Sequence, residues 1–315
     1  MMIRREALPL LLFAFFALMP IAASFGPESY LLALVTRVMV FAIAAVSLDL
    51  ILGYGALVSF GHAAFMGVGA YAVGILSSHG IKDTAIQLPV ALAASAFFAV
   101  ITGALSLRTK GVYFIMITLA FGQMAFFLAV SLAAYGGDDG MTLSGRSQLF
   151  GFDFIKRDRA FYYVTLVALI AAYALCRSLV VSRFGRVIRG ARENPQRMAA
   201  IGFPLFHYQL AIYVIAGTLC GLAGFLMANQ AEFVSPAYMT WQRSGELIVM
   251  VLLGGLGSLH GAILGAAAFL LLEEGLSGIT EHWKLIFGPF LVLVVLFARG
   301  GLIGAVERLR GKGGA

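Results

Sequence analysis

Apolar runs about twenty residues long recur along the chain, and they constrain its fold more than any other feature. A helix needs about 20 apolar residues to cross the hydrocarbon core of a membrane. Seven such runs precede a long apolar tract, and a shorter run follows it. They lie at 7–23, 30–52, 56–77, 86–107, 113–134, 161–181 and 208–228, then 246–272 and 285–298. The sequence therefore predicts an all-α polytopic membrane protein with about eight to ten transmembrane helices.

The composition excludes a soluble protein of the same length. Only 12% of the 315 residues are charged and 61% are hydrophobic, whereas a soluble domain is roughly 25% charged. We expect one transmembrane domain over 1–315. The first run follows Arg4 and Arg5 and also has the pattern of a signal peptide, but an uncleaved first span fits the topology equally well.

The distribution of Lys and Arg predicts the orientation. If the N-terminus is cytoplasmic, fourteen of the 22 basic residues lie on the cytoplasmic side and seven on the outer side, with Arg37 inside a span. Cytoplasmic loops carry such an excess. We therefore expect both termini in the cytoplasm, a periplasmic loop at 135–160 and a cytoplasmic loop at 182–207. The net charge of +7 then needs no nucleic-acid partner.

The tract at 246–272 cannot be a single crossing, because both of its flanks fall on the outer side. A glycine cluster at 254–261 lies near its middle and would loosen a helix. We expect a broken or re-entrant pair of short half-spans here. Interrupted helices often line the substrate path of transporters, so Gly255 and Gly257 are predicted to line it.

Three polar residues are assigned to the same pathway on their span position and polarity alone: His62, Gln123 and Asn229. His62 is expected a third of the way into its span. Asp49 precedes a glycine-rich turn at the cytoplasmic end of the second span, where we interpret it as a solvated carboxylate or as a partner for a cytoplasmic arginine.

No catalytic, metal or cofactor motif is found. The phosphate loop of ATP-binding proteins, the zinc motif H-E-x-x-H and the nucleophile motif G-x-S-x-G do not occur in the sequence. A membrane-embedded enzyme would need convergent polar groups, and only isolated ones are visible. A self-sufficient secondary transporter is a further alternative, and it would work without ATPase partners.

The loop at 182–207 combines arginines with apolar residues. Arg183, Arg186 and Arg189 recur every third residue, so a helix would place them along one side. A second, shorter helix is predicted with Asn194 as its N-cap and Gly202 as its C-terminal stop. With apolar residues on their surface, these helices favour a docking element for a soluble partner. A plain amphipathic surface helix is the alternative.

The same loop carries a resemblance to a known family. Glu193, Ala199-Ala200 and Gly202 resemble the E-A-A…G coupling loop of ABC importer permeases, in the form found in branched-chain amino-acid permeases of the LivM type. Other stretches are also similar to that family: Gly61-His62-Ala63-Ala64-Phe65, Gly111-Val112-Tyr113-Phe114, Gly136-Gly137-Asp138-Asp139-Gly140 and Gly254-Gly255-Leu256-Gly257-Ser258.

The resemblance implies a multi-subunit importer of the bacterial inner membrane. Its other parts would be a second homologous permease, two cytoplasmic ABC ATPases that hydrolyse the ATP, and a periplasmic substrate-binding protein. The implied ATPase-coupling residues are Glu193, Asn194, Ala199, Ala200 and Gly202. The implied substrates are branched-chain or related hydrophobic amino acids, although similar permeases serve urea, short amides and aromatic acids.

Overall fold

The computed structural model describes residues 2–23, 27–148 and 156–278, and further along only 282, 285, 287–289 and 300–304. Up to residue 278 the described chain forms eleven α-helices and one pair of very short strands, and residues 287–289 and 301–304 are helical as well. The helices are α1 (Met2–Ala23), α2 (Glu28–Leu52), α3 (His62–Ser78), α4 (Thr84–Ser106), α5 (Val112–Ser131), α6 (Asp158–Val181), α7 (Arg183–Glu193), α8 (Pro195–Ala200), α9 (Leu205–Ala231), α10 (Trp241–Gly254) and α11 (Leu259–Ser277). The strands are β1 (Met141–Thr142) and β2 (Phe233–Val234).

Length and hydropathy confirm an all-α polytopic membrane protein. In the described part of the chain, six helices are long and apolar enough to cross a membrane: α2, α4, α5, α6, α9 and α11. Two shorter apolar helices are α3 and, within α1, residues 8–21. The predicted span at 285–298 lies largely outside the described residues.

Two helices form the centre of the bundle. α2 is apolar on all sides and buried over most of its length, as expected for a core helix. α9 packs against α3 and α4 through glycines. A Cβ atom on Gly221 would lie 2.1 Å from Ser95 Oγ, and one on Gly224 would lie 1.8 Å from the Met66 carbonyl oxygen. Small residues let helices in membranes approach this closely.

The broken pair is confirmed, with one change. α10 ends at Gly254 and α11 begins at Leu259, and between them Gly255 and Gly257 have φ angles of +116° and +74°. Glycine adopts such conformations readily. We predicted two short half-spans, but only α10, with 14 residues, is short, while α11 has 19 and is long enough to span.

The predicted span at 56–77 begins too early. α3 starts at His62, and residues 53–61 form turns in which Ala56 has a φ of +55°. His62 is therefore the first residue of its helix. The segment before α3 is apolar, so its mean hydropathy is as high as that of a helix that crosses the membrane. The glycines on either side of it nevertheless interrupt the helix. Non-helical backbone at membrane depth is tolerated where protein covers it.

The end of the bundle that carries α7 and α8 is called the loop end here, and the opposite end the far end. At the far end, β1 and β2 pair antiparallel, with Met141 opposite Val234 and Thr142 opposite Phe233. This pair fastens the predicted periplasmic loop to the segment after α9.

Candidate functional site

The loop at 182–207 has a partly buried base, which is α7. Ser182 caps this helix by accepting a hydrogen bond from the Gly185 N–H. Val187 and Ile188 are buried, and the Phe184 ring stacks on Tyr208 at 5.5 Å. We expected the apolar residues of this loop at its surface. These three instead pack toward the bundle, because an amphipathic helix turns its apolar face to the core.

The second helix of the loop, α8, has the predicted ends. Asn194 Oδ1 accepts a hydrogen bond from the Arg197 N–H at 2.9 Å. At the other end Gly202 has a φ of +94°, and the Phe203 N–H donates to the Met198 carbonyl at 3.2 Å. Such C-terminal closures favour glycine. Both caps are local, so α8 has a defined shape although it is only six residues long.

The outer surface of α8 is uncovered. None of its residues is buried, and its last two residues, Ala199 and Ala200, are exposed, as is Glu193 just before it. The following Ile201 is 65% exposed. Two alanines and an isoleucine make a small apolar surface without long side chains, which a partner can approach closely.

The base of the loop is fixed to the rest of the bundle by hydrogen bonds between residues far apart in the sequence. Of the two interpretations of Asp49, the arginine partner is the one that agrees with the structure, and that arginine is Arg192. Arg192 Nη1, at the end of α7, donates a hydrogen bond to the Gly53 carbonyl oxygen. Asp49 is fully buried rather than solvated, and its Oδ1 accepts a hydrogen bond from the Gly257 N–H at 2.8 Å. The loop, the end of α2 and the break between α10 and α11 therefore meet at one place.

Two of the predicted pathway residues are held in place by hydrogen bonds to other parts of the bundle. His62 is buried, and its Nε2 lies 2.9 Å from Ser47 Oγ. Asn229 is buried as well, and its Oδ1 accepts hydrogen bonds from Ser147 N–H at 2.8 Å and Ser147 Oγ at 2.6 Å. These contacts join α2 to α3 and the loop at the far end to α9.

Gln123 lies on a groove between α3, α4 and α5. The groove has a volume of about 990 Å³, and its wall is almost entirely apolar. Gly255 and Gly257, the other predicted pathway residues, lie in the break at the loop end. The lining of the groove includes Tyr71, Phe98, Ile101, Met124 and Phe127.

Ion pairs lie within the described helices of the bundle. Arg37 of α2 lies 3.7 Å from Glu273 of α11, and Arg243 lies 2.6 Å from Glu246 within α10. Charged residues inside membranes are costly unless paired. Within the described ranges, no group of three or more His, Cys, Asp or Glu side chains is placed to hold a metal ion.

A bundle of apolar helices with a broken pair, a groove and a short uncovered helix has the features of the membrane subunit of a transporter. A family model described as branched-chain amino acid transport system, permease component, matches residues 30–296. The chain belongs to this family, and its resemblance to the LivM type of ABC permease extends over most of its length.

Relatives with assigned functions agree with the family. The permease protein LivM of the high-affinity branched-chain amino acid transport system of Salmonella typhimurium is 25% identical over 291 residues, which cover 85% of this chain and 68% of LivM. The LivH permease protein of Escherichia coli is 26% identical over 54% of each chain. The fructose import permease protein FrcC of Rhizobium meliloti is 24% identical over 67% of this chain and 61% of FrcC. No solved structure matches the chain.

Proposed function

We propose that this chain forms half of the membrane pathway of a bacterial ABC importer for branched-chain or related hydrophobic amino acids. Separate ATPase subunits would drive it by binding α8. The observation that carries the proposal is the uncovered, twice-capped α8 on the buried base of α7. An isolated helix of six residues is unstable in water, so the caps keep a contact surface folded.

The coupling step follows from this geometry. Residues 194–202 would sit in a cleft of an ATPase subunit, with Ala199 and Ala200 facing the cleft and Glu193 at its rim. Asn194 and Gly202 would fix the two ends of α8. When ATP closes the ATPase pair, α8 moves with it, and the spans change between outward-open and inward-open forms.

The proposed assembly has four further subunits, which are of three kinds. A second homologous permease completes the pathway, and the similarity of this chain to both LivM and LivH supports such a pairing. Two ATPases lie on the cytoplasmic side, and a periplasmic binding protein delivers the substrate. This chain supplies no enzymatic activity, and it works in the bacterial inner membrane.

The pathway is assigned to the apolar groove and the break. Gln123 offers a polar group within the groove, and Gly255 and Gly257 offer backbone that can change conformation. The hydrogen bonds of His62 and Asn229 favour positioning roles for these two residues over direct contact with substrate.

The substrate proposal is supported by the family and by the LivM relatives, and an apolar groove suits a hydrophobic side chain. FrcC is a fructose permease, so permeases of this kind are not bound to one substrate. Urea, short amides and aromatic acids are the alternatives. A secondary transporter working alone would have no use for α8.

The test compares two variants in vesicles that contain all subunits of the importer. Ala199→Arg places a long charged side chain on the uncovered face of α8, and Arg183→Gln changes a charge on α7 away from that face. Ala199→Arg should weaken ATPase binding at least about tenfold, because one blocked contact of about 1.4 kcal/mol has that effect. Uptake should fall with it, whereas membrane insertion should persist.

In the same vesicles, leucine, isoleucine or valine with the binding protein should stimulate ATP hydrolysis more than urea, short amides or aromatic acids do. Uptake and ATPase binding that are unchanged in Ala199→Arg would refute the docking assignment. If only urea or an aromatic acid stimulated hydrolysis, the proposed substrate would be wrong, but the assignment to the ABC importers would stand.

A further inference from the structure

Four residues from three distant parts of the chain form a contact that we call the junction: Asp49, Gly53, Arg192 and Gly257. Asp49 and Gly53 lie at the end of α2, Gly257 lies in the break between α10 and α11, and Arg192 lies near the end of α7. The Asp49 carboxylate accepts a hydrogen bond from the Gly257 N–H at 2.8 Å, and Arg192 donates a hydrogen bond to the Gly53 carbonyl oxygen.

At the junction, the backbones of the two segments pack against each other with no room for a side chain between them. A Cβ atom on Gly53 would lie 2.1 Å from Asp49 Oδ1 and 2.4 Å from the Gly257 nitrogen. Gly257 has a φ of +74°, a conformation that favours glycine. The end of α2 is in direct contact with the break, so a displacement of one also displaces the other.

Unlike an ordinary packing contact, the junction contains two charged side chains, those of Asp49 and Arg192. Asp49 is fully buried, and its Oδ2 has no hydrogen-bond partner among the residues that the structure describes. The guanidinium of Arg192 attracts the Asp49 carboxylate and lies 3.9 Å from the position of a Cβ on Gly257. A buried carboxylate is costly unless a cation and hydrogen bonds compensate it. Arg192 supplies that cation from the coupling loop, and Gly257 supplies a hydrogen bond from the break.

We infer that the junction transmits movement of the coupling loop to the α10–α11 pair, with Asp49 and Arg192 as positioning residues. The inference rests on the proposed function, because it requires ATPases that move α8. Arg192 is two residues from the N-cap of α8, so a shift of α8 displaces its guanidinium relative to Gly53. Asp49 would carry that displacement to the Gly257 N–H, and the break can respond because its glycines act as a hinge.

The experiment measures how many ATP molecules are hydrolysed for each substrate molecule transported, in vesicles containing the whole importer and its binding protein. Asp49→Ala removes both the carboxylate and the acceptor for Gly257. Its control is Thr36→Val, which removes a buried hydroxyl from the same helix, where Thr36 bonds only the Leu32 carbonyl. Asp49→Ala should raise the ratio of ATP to substrate about tenfold, the effect of one lost hydrogen bond to a charged group.

A second pair of variants keeps the test decisive if Asp49→Ala does not fold. Arg192→Gln and Arg186→Gln each remove one arginine from α7, but only Arg192 contacts the junction. Arg192→Gln should raise the ratio and leave assembly and ATP hydrolysis intact, and Arg186→Gln should keep the wild-type ratio.

A purely structural role would lower the amount of assembled importer, and hydrolysis and transport would then fall together at an unchanged ratio. That result in Arg192→Gln, or wild-type ratios in both junction variants, would overturn the inference and leave the proposed function standing. Failure of the wild-type assembly to hydrolyse ATP in response to any substrate would instead refute the proposed function.

Discussion

Gly53 is a residue at which the packing leaves no room for a side chain. An alanine there would bring its Cβ within 2.4 Å of both Asp49 Oδ1 and the Gly257 nitrogen, and the latter is backbone that cannot rotate away. We expect Gly53→Ala to destabilise the protein by about 1–3 kcal/mol. Gly245 is the matched control, because it lies inside α10 and a Cβ there meets nothing within 4 Å.

The loss can be measured by heating the protein in detergent with a thiol-reactive dye. Cys176 and Cys220 are both buried, so they react only when the bundle opens. Gly53→Ala should lower the melting temperature by several degrees. Gly245→Ala should leave it unchanged or raise it, since alanine favours a helix over glycine. Equal melting of the two variants would show that the close approach at Gly53 is not important for stability.

The sequence predicted local features at the residue scale and missed the distant ones. The caps at Asn194 and Gly202 depend on residues within four positions, so their types and spacing were sufficient. Asp49 and Gly257 are 208 residues apart, and Arg192 and Gly53 are 139 apart. No local pattern specifies which buried carboxylate will meet which backbone N–H, so the junction was visible only in the structure.

At the scale of elements, hydropathy predicted most helices to within a few residues because a span must be apolar over a fixed length. It placed the start of α3 wrongly, because residues 56–60 are mostly apolar but lie between glycine turns. The broken pair was predictable from the glycine cluster and from the number of membrane crossings, because both flanks of the tract fell on the same side of the membrane. The pairing of β1 with β2 was not, since strands of two residues form only where the surrounding helices bring them together.

Asn229 fastens one element to another, and this can be tested. Asn229→Ala would leave the buried Ser147 N–H without its acceptor, which costs about 1–3 kcal/mol, whereas the Ser147 hydroxyl could still donate to Gln87 Oε1. Residues 141–148 should then exchange their amide hydrogens faster. Gln230→Ala is the control, because the Gln230 amide bonds the Ala33 carbonyl of α2 instead.

Hydrogen exchange measured by mass spectrometry on peptides covering 141–148 distinguishes the two roles of Asn229. Faster exchange in Asn229→Ala alone would support fastening. Uptake lost at unchanged exchange would contradict it and return Asn229 to the substrate pathway.

At the scale of the whole molecule, the order of the helices fixes which loops share a side of the membrane. If successive spans alternate in direction, the α7–α8 loop lies on one side, and the loop that carries β1 lies on the other. The arginines of the α7–α8 loop favour the cytoplasm for the loop end, and the proposed ATPases would require the same orientation.

Labelling of single introduced cysteines tests this orientation in intact cells. Both native cysteines are buried, so an added thiol on a loop is the accessible one. Ser144→Cys lies in an exposed position of the loop with β1, and Arg186→Cys lies in an exposed position of α7. A membrane-impermeant maleimide should label Ser144→Cys from outside and should label Arg186→Cys only after the membrane is opened. The reverse pattern would place α8 outside the cell, where no cytoplasmic ATPase could reach it, and the importer proposal would fail with it.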